Sequence, residues 1–259
     1  MTAVTEGRVS LDLSQTPKVP LTRLVRVELR KMADTRAGIW LLIAIALITA
    51  AIVTIFFFAA PKSEHTFLNF MGVTATPQGL LLPVLGILLI TSEWSQRTAL
   101  VTFTLTPMRG RVLTAKVTAA LLFGLAAILI ATAIAAVATL VGGAPDAWQG
   151  MDLDDFAKFS LLQTIGVLQG LAFGLVLLNS AGAIVAFLLL PTVFNILAGF
   201  WSAMSEARPW VDLAYAQEPL FLDQNLGSGE WLHLASGFAI WVLLPFVVGI
   251  IRVLRREVK

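Results

Sequence analysis

Six apolar segments dominate the sequence, and each is long enough to cross a lipid bilayer. The first, 39–60, has no charged residue, and about 20 apolar helical residues span a hydrocarbon core of roughly 30 Å. Backbone polar groups find no water in that core, so a chain crossing it must satisfy them within helices. The other segments are 73–91, 117–141, 159–178, 183–204 and 231–251. The sequence therefore predicts an all-α membrane protein with six transmembrane helices within 37–251.

The composition excludes several classes of protein. Of the 259 residues 58% are hydrophobic and 13% charged, which is too little polar surface for a soluble globule of this size. Cysteine is absent, so disulfides, thiolate metal sites and cysteine nucleophiles are excluded. His65 and His233 lie outside any HExxH pattern, which disfavours an intramembrane zinc protease. A net charge of +2 does not indicate nucleic-acid binding. We predict no catalytic or metal site on this chain.

The lysines and arginines indicate the orientation. Of the 18, seven precede the first span, four lie in 92–116 and four follow residue 251. With six spans all of these fall on one side, and the positive-inside rule makes that side cytoplasmic. Both termini and the loop 92–116 are therefore predicted to be cytoplasmic. The opposite side carries mostly acidic residues.

The cytoplasmic ends have distinct patterns. Residues 1–19 are polar and predict a disordered tail, and 252–259 form a short basic tail. Residues 20–36 predict a basic amphipathic helix, with apolar residues at helical spacing and Arg26 and Arg30 among its basic residues. Such a helix either lies in the membrane interface or is only a charged lead-in to the first span.

Two segments on the opposite side are more than turns. Residues 146–158 alternate acids with apolar residues and predict a short interfacial helix. Residues 206–230 contain Trp210, Tyr215 and Phe221 among prolines and acids. This composition indicates either a re-entrant segment before the last helix, which covers a passage, or an interfacial loop anchored by its aromatic residues. We include the re-entrant segment in the predicted fold.

Few polar residues interrupt the spans. Gln163, Gln169 and Asn195 either form hydrogen bonds between helices or line a substrate pathway. A ladder of small residues on one face of the fourth span predicts close helix packing, within one chain or between two: its members are Gly166, Gly170 and Gly174. No acid lies inside a span and the two histidines form no relay, so a proton-coupled transporter has few groups to use. Energy for any transport must enter from outside the membrane.

The loop 92–116 carries the most specific pattern. It contains Glu93, then Arg97-Thr98, then Thr106-Pro107, then Arg109 and Arg111, and ends with Lys116 before the third span. In this pattern and in its topology the chain resembles the type 2 permease subunits of ATP-binding-cassette (ABC) transporters. Arg97 occupies a position where members of that family commonly have glycine.

The resemblance implies a permease that is not itself an enzyme. The sequence has no G-x-x-x-x-G-K-[ST] loop, so ATP and Mg would bind to a separate ATPase, two copies per complex. A second permease chain, identical or similar, would complete the pathway in a bacterial cell membrane. The residues that would couple ATPase to permease are Glu93, Arg97, Thr98 and Arg109, with Arg26 and Arg30 in the amphipathic helix.

Three functions stay open at this stage. The first is ATP-driven export of a hydrophobic drug, antibiotic or lipid-like molecule, since the spans offer apolar walls and few charges. The second is a membrane scaffold or accessory subunit that recruits a soluble partner without transporting. The third, an intramembrane enzyme, lacks a recognisable catalytic constellation.

Overall fold

The computed structural model describes residues 19–106, 108–148, 152–221 and 226–256. These residues are helical, with short connections and no strand among them. In chain order the helices are α1 (Leu21–Asp34), α2 (Arg36–Ala59), α3 (Phe67–Ser95), α4 (Ala99–Leu105), α5 (Arg109–Gly142), α6 (Leu153–Leu177), α7 (Ser180–Phe200), α8 (Ser202–Val211), α9 (Leu213–Phe221), α10 (Ser228–Phe238) and α11 (Leu244–Arg255). A turn of π-helix, Ala239–Leu243, joins α10 to α11.

Within the described residues six helices are long and apolar enough to cross a membrane, as the sequence predicted. They are α2, α3, α5, α6, α7 and the continuous unit Ser228–Arg255. Helix α3 begins six residues before its predicted span of 73–91, because Thr66 caps it by accepting a hydrogen bond from the Asn69 backbone N–H at 3.3 Å.

Three predictions concern the segments next to the spans. The prediction of a separate helix in 146–158 is wrong, because α6 already begins at Leu153, where Asp152 and Asp155 form a capping box. The predicted basic tail begins within α11, which continues to Arg255. The predicted disordered tail, apart from residue 19, lies outside the described residues.

Helices α3 and α6 form the centre of the bundle. In the most apolar 18-residue stretch of each helix, 61% of the residues of α3 and 56% of those of α6 are buried. The corresponding fraction is 17% for both α2 and α7. Gly170 makes their close approach possible, because a Cβ there would lie 2.0 Å from the carbonyl oxygen of Pro83. The outer helices direct large apolar side chains outward, which is typical of helices that face lipid.

The two ends of the bundle differ in charge. One end gathers α1, α4, the beginning of α5 and the end of α11, and we call it the basic end. The other end gathers the Lys62–Glu64 turn, α8, α9 and the beginning of α6, and we call it the acidic end. At the acidic end α8 and α9 occupy the stretch expected to be re-entrant. Their depth in a bilayer stays a prediction.

Candidate functional site

Four charged side chains meet at the basic end, and three helices bring them together. Helix α1 contributes Glu28 and Lys31, which are three residues apart and therefore on one face. The last turn of α3 contributes Glu93, and the third turn of α5 contributes Lys116. We call these four residues the ion cluster.

Short distances join all four groups. Lys31 Nζ lies 2.7 Å from Glu28 Oε1 and 2.9 Å from Glu93 Oε1. Lys116 Nζ lies 2.8 Å from Glu28 Oε2 and 3.4 Å from Glu93 Oε1. Each ammonium thus bridges both carboxylates. Thr102 of α4 also donates to Glu93 Oε1 at 3.2 Å, so α4 is tied to the same carboxylate.

The ion cluster is largely removed from water. The side chain of Lys116 is 2% exposed, those of Glu93 and Glu28 are 4% and 5% exposed, and that of Lys31 is 38% exposed. Two positive and two negative charges balance, which makes their burial tolerable. Burial lowers the pKa of Lys31, but Glu93 and Glu28 raise it by more, so this pKa lies above its usual value.

Sequence reasoning identified only part of this arrangement. It assigned Glu93 to coupling with an ATPase, and the structure places the carboxylate against three of the chain's own side chains. Glu93 therefore acts on any partner only through the helices it holds. Glu28 was missed, although the sequence carries a signal for it. It stands in the apolar stripe of 20–36, between Leu24 and Met32 at helical spacing, where an acid needs a buried partner.

Arg97 ends α3 in a conformation that favours glycine. Its φ is +58°, in the left-handed region. The Thr98 N–H donates to the Glu93 carbonyl at 2.8 Å and the Arg97 N–H to the Trp94 carbonyl at 3.3 Å. These two bonds are those of a Schellman motif with arginine at its usual glycine position. The motif reverses the chain and starts α4 beside the ion cluster.

Arg109 closes the end of α11. Its Nη1 donates to the carbonyl oxygens of Val253 at 2.9 Å and Arg256 at 2.6 Å, groups that otherwise lack helical partners. Its guanidinium also lies 5.0 Å from the centre of the Phe103 ring. Arg109 thereby joins the first turn of α5 to α4 and to the last helix. The adjacent Pro107 of the sequence pattern lies outside the described residues.

Helix α4 presents an apolar surface that the bundle does not cover. Leu100 is 50% exposed, Val101 57% and Leu105 76%, and these side chains lie at the basic end beyond the last turn of α3. We call these three residues the α4 patch. On α1, Arg26 and Arg30 are exposed and make no ion pair within the described residues. An exposed apolar patch and exposed cations at one end of a bundle are typical of a protein interface.

The residues predicted for a substrate pathway do not meet in one place. Gln163 is buried and donates to the Ala75 carbonyl at 3.3 Å, while Gln169 is half-buried on the same helix. Asn195 donates to its own helix at Pro191 and accepts from Arg208 of α8. Sequence reasoning missed Gln78, which is buried in α3 and donates to the Ala127 carbonyl at 3.1 Å.

The glycine ladder packs within one chain. A Cβ on Gly174 would lie 3.3 Å from Ile87, and one on Gly166 would lie 3.4 Å from Pro83 Cγ. Both face α3, as does Gly170. The three glycines therefore position the centre of the bundle.

One group of acids could hold a metal ion by its spacing. The carboxylates of Asp152, Asp154 and Asp155 have oxygens within 4.8 Å of one another. Lys158 lies 2.8 Å from Asp154 and 3.6 Å from Asp155, and Asp152 caps α6. Capping and ion pairing account for these three acids without a metal.

The comparisons with known proteins leave the family open. No protein-family model matches the chain, and a search of curated proteins also finds no match. The resemblance to type 2 ABC permeases therefore rests on the pattern of 93–116 and on the topology.

Proposed function

We propose that this chain is the membrane-spanning permease subunit of an ABC exporter. Two permease chains, identical or similar, would form the pathway for a hydrophobic drug, antibiotic or lipid-like substrate in a bacterial cell membrane. Two separate ATPase subunits would bind ATP and Mg and supply the energy. The termini and the basic end would face the cytoplasm, and α8 and α9 would form the re-entrant segment on the other side.

The ion cluster is the observation that carries this proposal. It fastens α1 and α4, which lie outside the spans, to the ends of α3 and α5. Buried ion pairs resist separation, because parting them leaves uncompensated charge. A force applied to α4 would therefore move α3 and α5 rather than bend the loop. Such a rigid link is what an ATPase needs in order to shift the spans between two states.

The exposed surfaces of the basic end supply the docking site. The α4 patch would enter an apolar groove on the ATPase, while Arg26 and Arg30 would meet its acidic residues. Thr98 starts α4, and Arg97 positions that start through its backbone. Glu93 and Arg109 would transmit the motion from behind this surface. The coupling residues thus divide into exposed contacts and buried links.

Co-purification with candidate ATPases tests the proposal. Wild-type chain should retain an ATPase, and Leu105→Asp and Arg26→Glu should each lose it while the chain still melts at its normal temperature. Arg255→Glu is the matched control, because Arg255 is an exposed basic residue of α11 outside the docking surface.

Two results would contradict the proposal. One is a wild-type chain that binds no ATPase under any condition tested. The other is a bound ATPase whose hydrolysis moves no substrate in reconstituted vesicles, which would favour the scaffold function instead.

A further inference from the structure

A cavity of about 780 Å³ opens at the acidic end of the bundle. It lies between the end of α2, the beginning of α3 and the beginning of α6, with Leu220 of α9 at one side. Its volume is in the range of sites that hold drug-sized molecules. No residue that sequence reasoning assigned to a pathway lines it.

The cavity changes from polar to apolar with depth. Glu64 and Asp152 line its outer part and are exposed. Buried Ala75 and Leu162 lie at its inner part. Since a helix rises 1.5 Å per residue, α6 carries the wall about 15 Å inward from Asp152 to Leu162. That distance is about half of a hydrocarbon core.

Aromatic rings form much of the wall. The aromatic lining residues are Phe56, Phe67, Phe156 and Phe159. Apolar rings accept a flat or bulky hydrophobic body, and their faces attract a cation. Met71 adds a flexible side chain that adapts to different shapes.

The charge of the lining has one sign. Glu64, Asp152 and Asp155 line the cavity, and no lysine or arginine does so among the described residues. The nearest cations along the chain are Lys62, on the Lys62–Glu64 turn, and Lys158, which pairs with Asp154 and with the lining residue Asp155. Glu64 and Asp152 therefore carry the negative charge of the lining. Carboxylates beside low-dielectric walls attract a cation more strongly than they would in water.

We propose that this cavity binds organic cations with an aromatic or bulky apolar body. The body occupies the aromatic part between α3 and α6, and the positive charge lies near Glu64 and Asp152. If the chain is the permease proposed above, this cavity gives the substrate class. The binding itself does not depend on that function, because all the lining residues belong to one chain.

Two glycines of α3 provide a matched pair for the test. Gly72 lines the cavity and Gly79 does not, and a Cβ on either would meet no atom within 4 Å. Gly72→Leu therefore adds a side chain at the cavity wall and narrows the cavity, whereas Gly79→Leu adds the same side chain outside it. Glu64→Gln and Asp152→Asn remove the charges, and asparagine caps a helix as well as aspartate does.

The experiment is calorimetric titration of the purified chain in detergent, without an ATPase. The probes are tetraphenylphosphonium and tetraphenylborate, which have nearly the same shape and opposite charges. Wild-type and Gly79→Leu chains should bind the phosphonium with equal affinity, and Gly72→Leu should bind it more weakly. The double variant Glu64→Gln/Asp152→Asn should bind it about tenfold more weakly. One exposed carboxylate raises the affinity for a cation by up to about fivefold, and this variant removes two. Glu206→Gln, which alters an exposed acid outside the lining, should bind it normally.

Equal affinity for the two probes would overturn the proposal, because an uncharged apolar site would give that result. Unchanged phosphonium affinity in a correctly folded Gly72→Leu chain would overturn it as well. Should Gly72→Leu not fold, the charge variants decide: unchanged phosphonium affinity in the double variant refutes the site. Failure to find an ATPase would contradict the permease function and leave the phosphonium result standing.

Discussion

The ion cluster allows a quantitative test, because its four charges balance only as a set. Glu93→Gln keeps the size of the side chain and an acceptor for Thr102, but removes one negative charge. Lys31 and Lys116 then share Glu28 alone, and the cluster carries a net positive charge. Breaking a buried ion pair costs about 3–5 kcal/mol. Because Lys31 is 38% exposed, water stabilises part of the uncompensated charge. We therefore expect the free energy of unfolding to fall by about 3 kcal/mol.

The second variant, Lys116→Met, should lower the free energy of unfolding by a similar amount, since it leaves two carboxylates facing Lys31. Combining it with Glu93→Gln restores neutrality. The remaining pair, Lys31 and Glu28, stays 2.7 Å apart. The double variant should therefore lose less free energy of unfolding than the sum of the single variants, by on the order of 2 kcal/mol.

Thermal unfolding in detergent measures these effects. For a chain of this size about 1 kcal/mol corresponds to roughly 2–4 °C, so each single variant should melt about 6–12 °C below the wild type. Glu206→Gln is the control for loss of an exposed negative charge and should melt normally. Additive losses in the double variant, or a Glu93→Gln chain that melts like the control, would refute the balanced cluster.

Three further predictions concern packing, backbone and pH. Gly170→Ala should lower the free energy of unfolding by at least ~2 kcal/mol, since its Cβ would stand 2.0 Å from the Pro83 carbonyl oxygen. Gly166→Ala, with 3.4 Å to Pro83, should be neutral or gain up to ~1 kcal/mol from helix propensity; equal effects of the two would contradict the packing. Arg97→Gly should raise the free energy of unfolding by about 1 kcal/mol by relieving the left-handed backbone. Arg97→Ala removes the side chain beyond Cβ but keeps that strain, so it should not raise the melting temperature. Because the folded-state pKa of Lys31 is raised above 10.5, its ion pairs contribute fully below about pH 10 and are lost as the pH rises through that folded pKa. A melting series from pH 8 to pH 11 should therefore decline more steeply for wild type than for Lys31→Met.

The ion cluster shows where sequence reasoning reached its limit. Glu93 and Lys116 were both recognised as the charged boundaries of the loop 92–116, because each adjoins an apolar run. Their partners on α1 lie more than sixty residues away in the chain: Glu93 pairs with Lys31, and Lys116 pairs with Glu28. Pairing over such a separation depends on how α1 folds back against α5, which no local pattern encodes.

At Arg97 the sequence left a local backbone turn undetermined rather than a distant contact. The sequence placed an arginine where a related pattern has glycine, and this left the turn after α3 undetermined. The structure keeps the glycine-type turn, with φ at +58°. The two backbone hydrogen bonds of the motif and the anchoring of α4 by Glu93 outweigh the strain of one residue.

By itself the sequence determined the six membrane-length helices and the segregation of basic residues to one end. These follow from hydropathy and charge, which act residue by residue against the lipid and need no tertiary contact. Only the tertiary structure decided which charges neutralise one another, that the glycine ladder faces α3, and that a cavity opens beside Glu64. Those features depend on the relative positions of distant helices, and side-chain packing rather than composition fixes them.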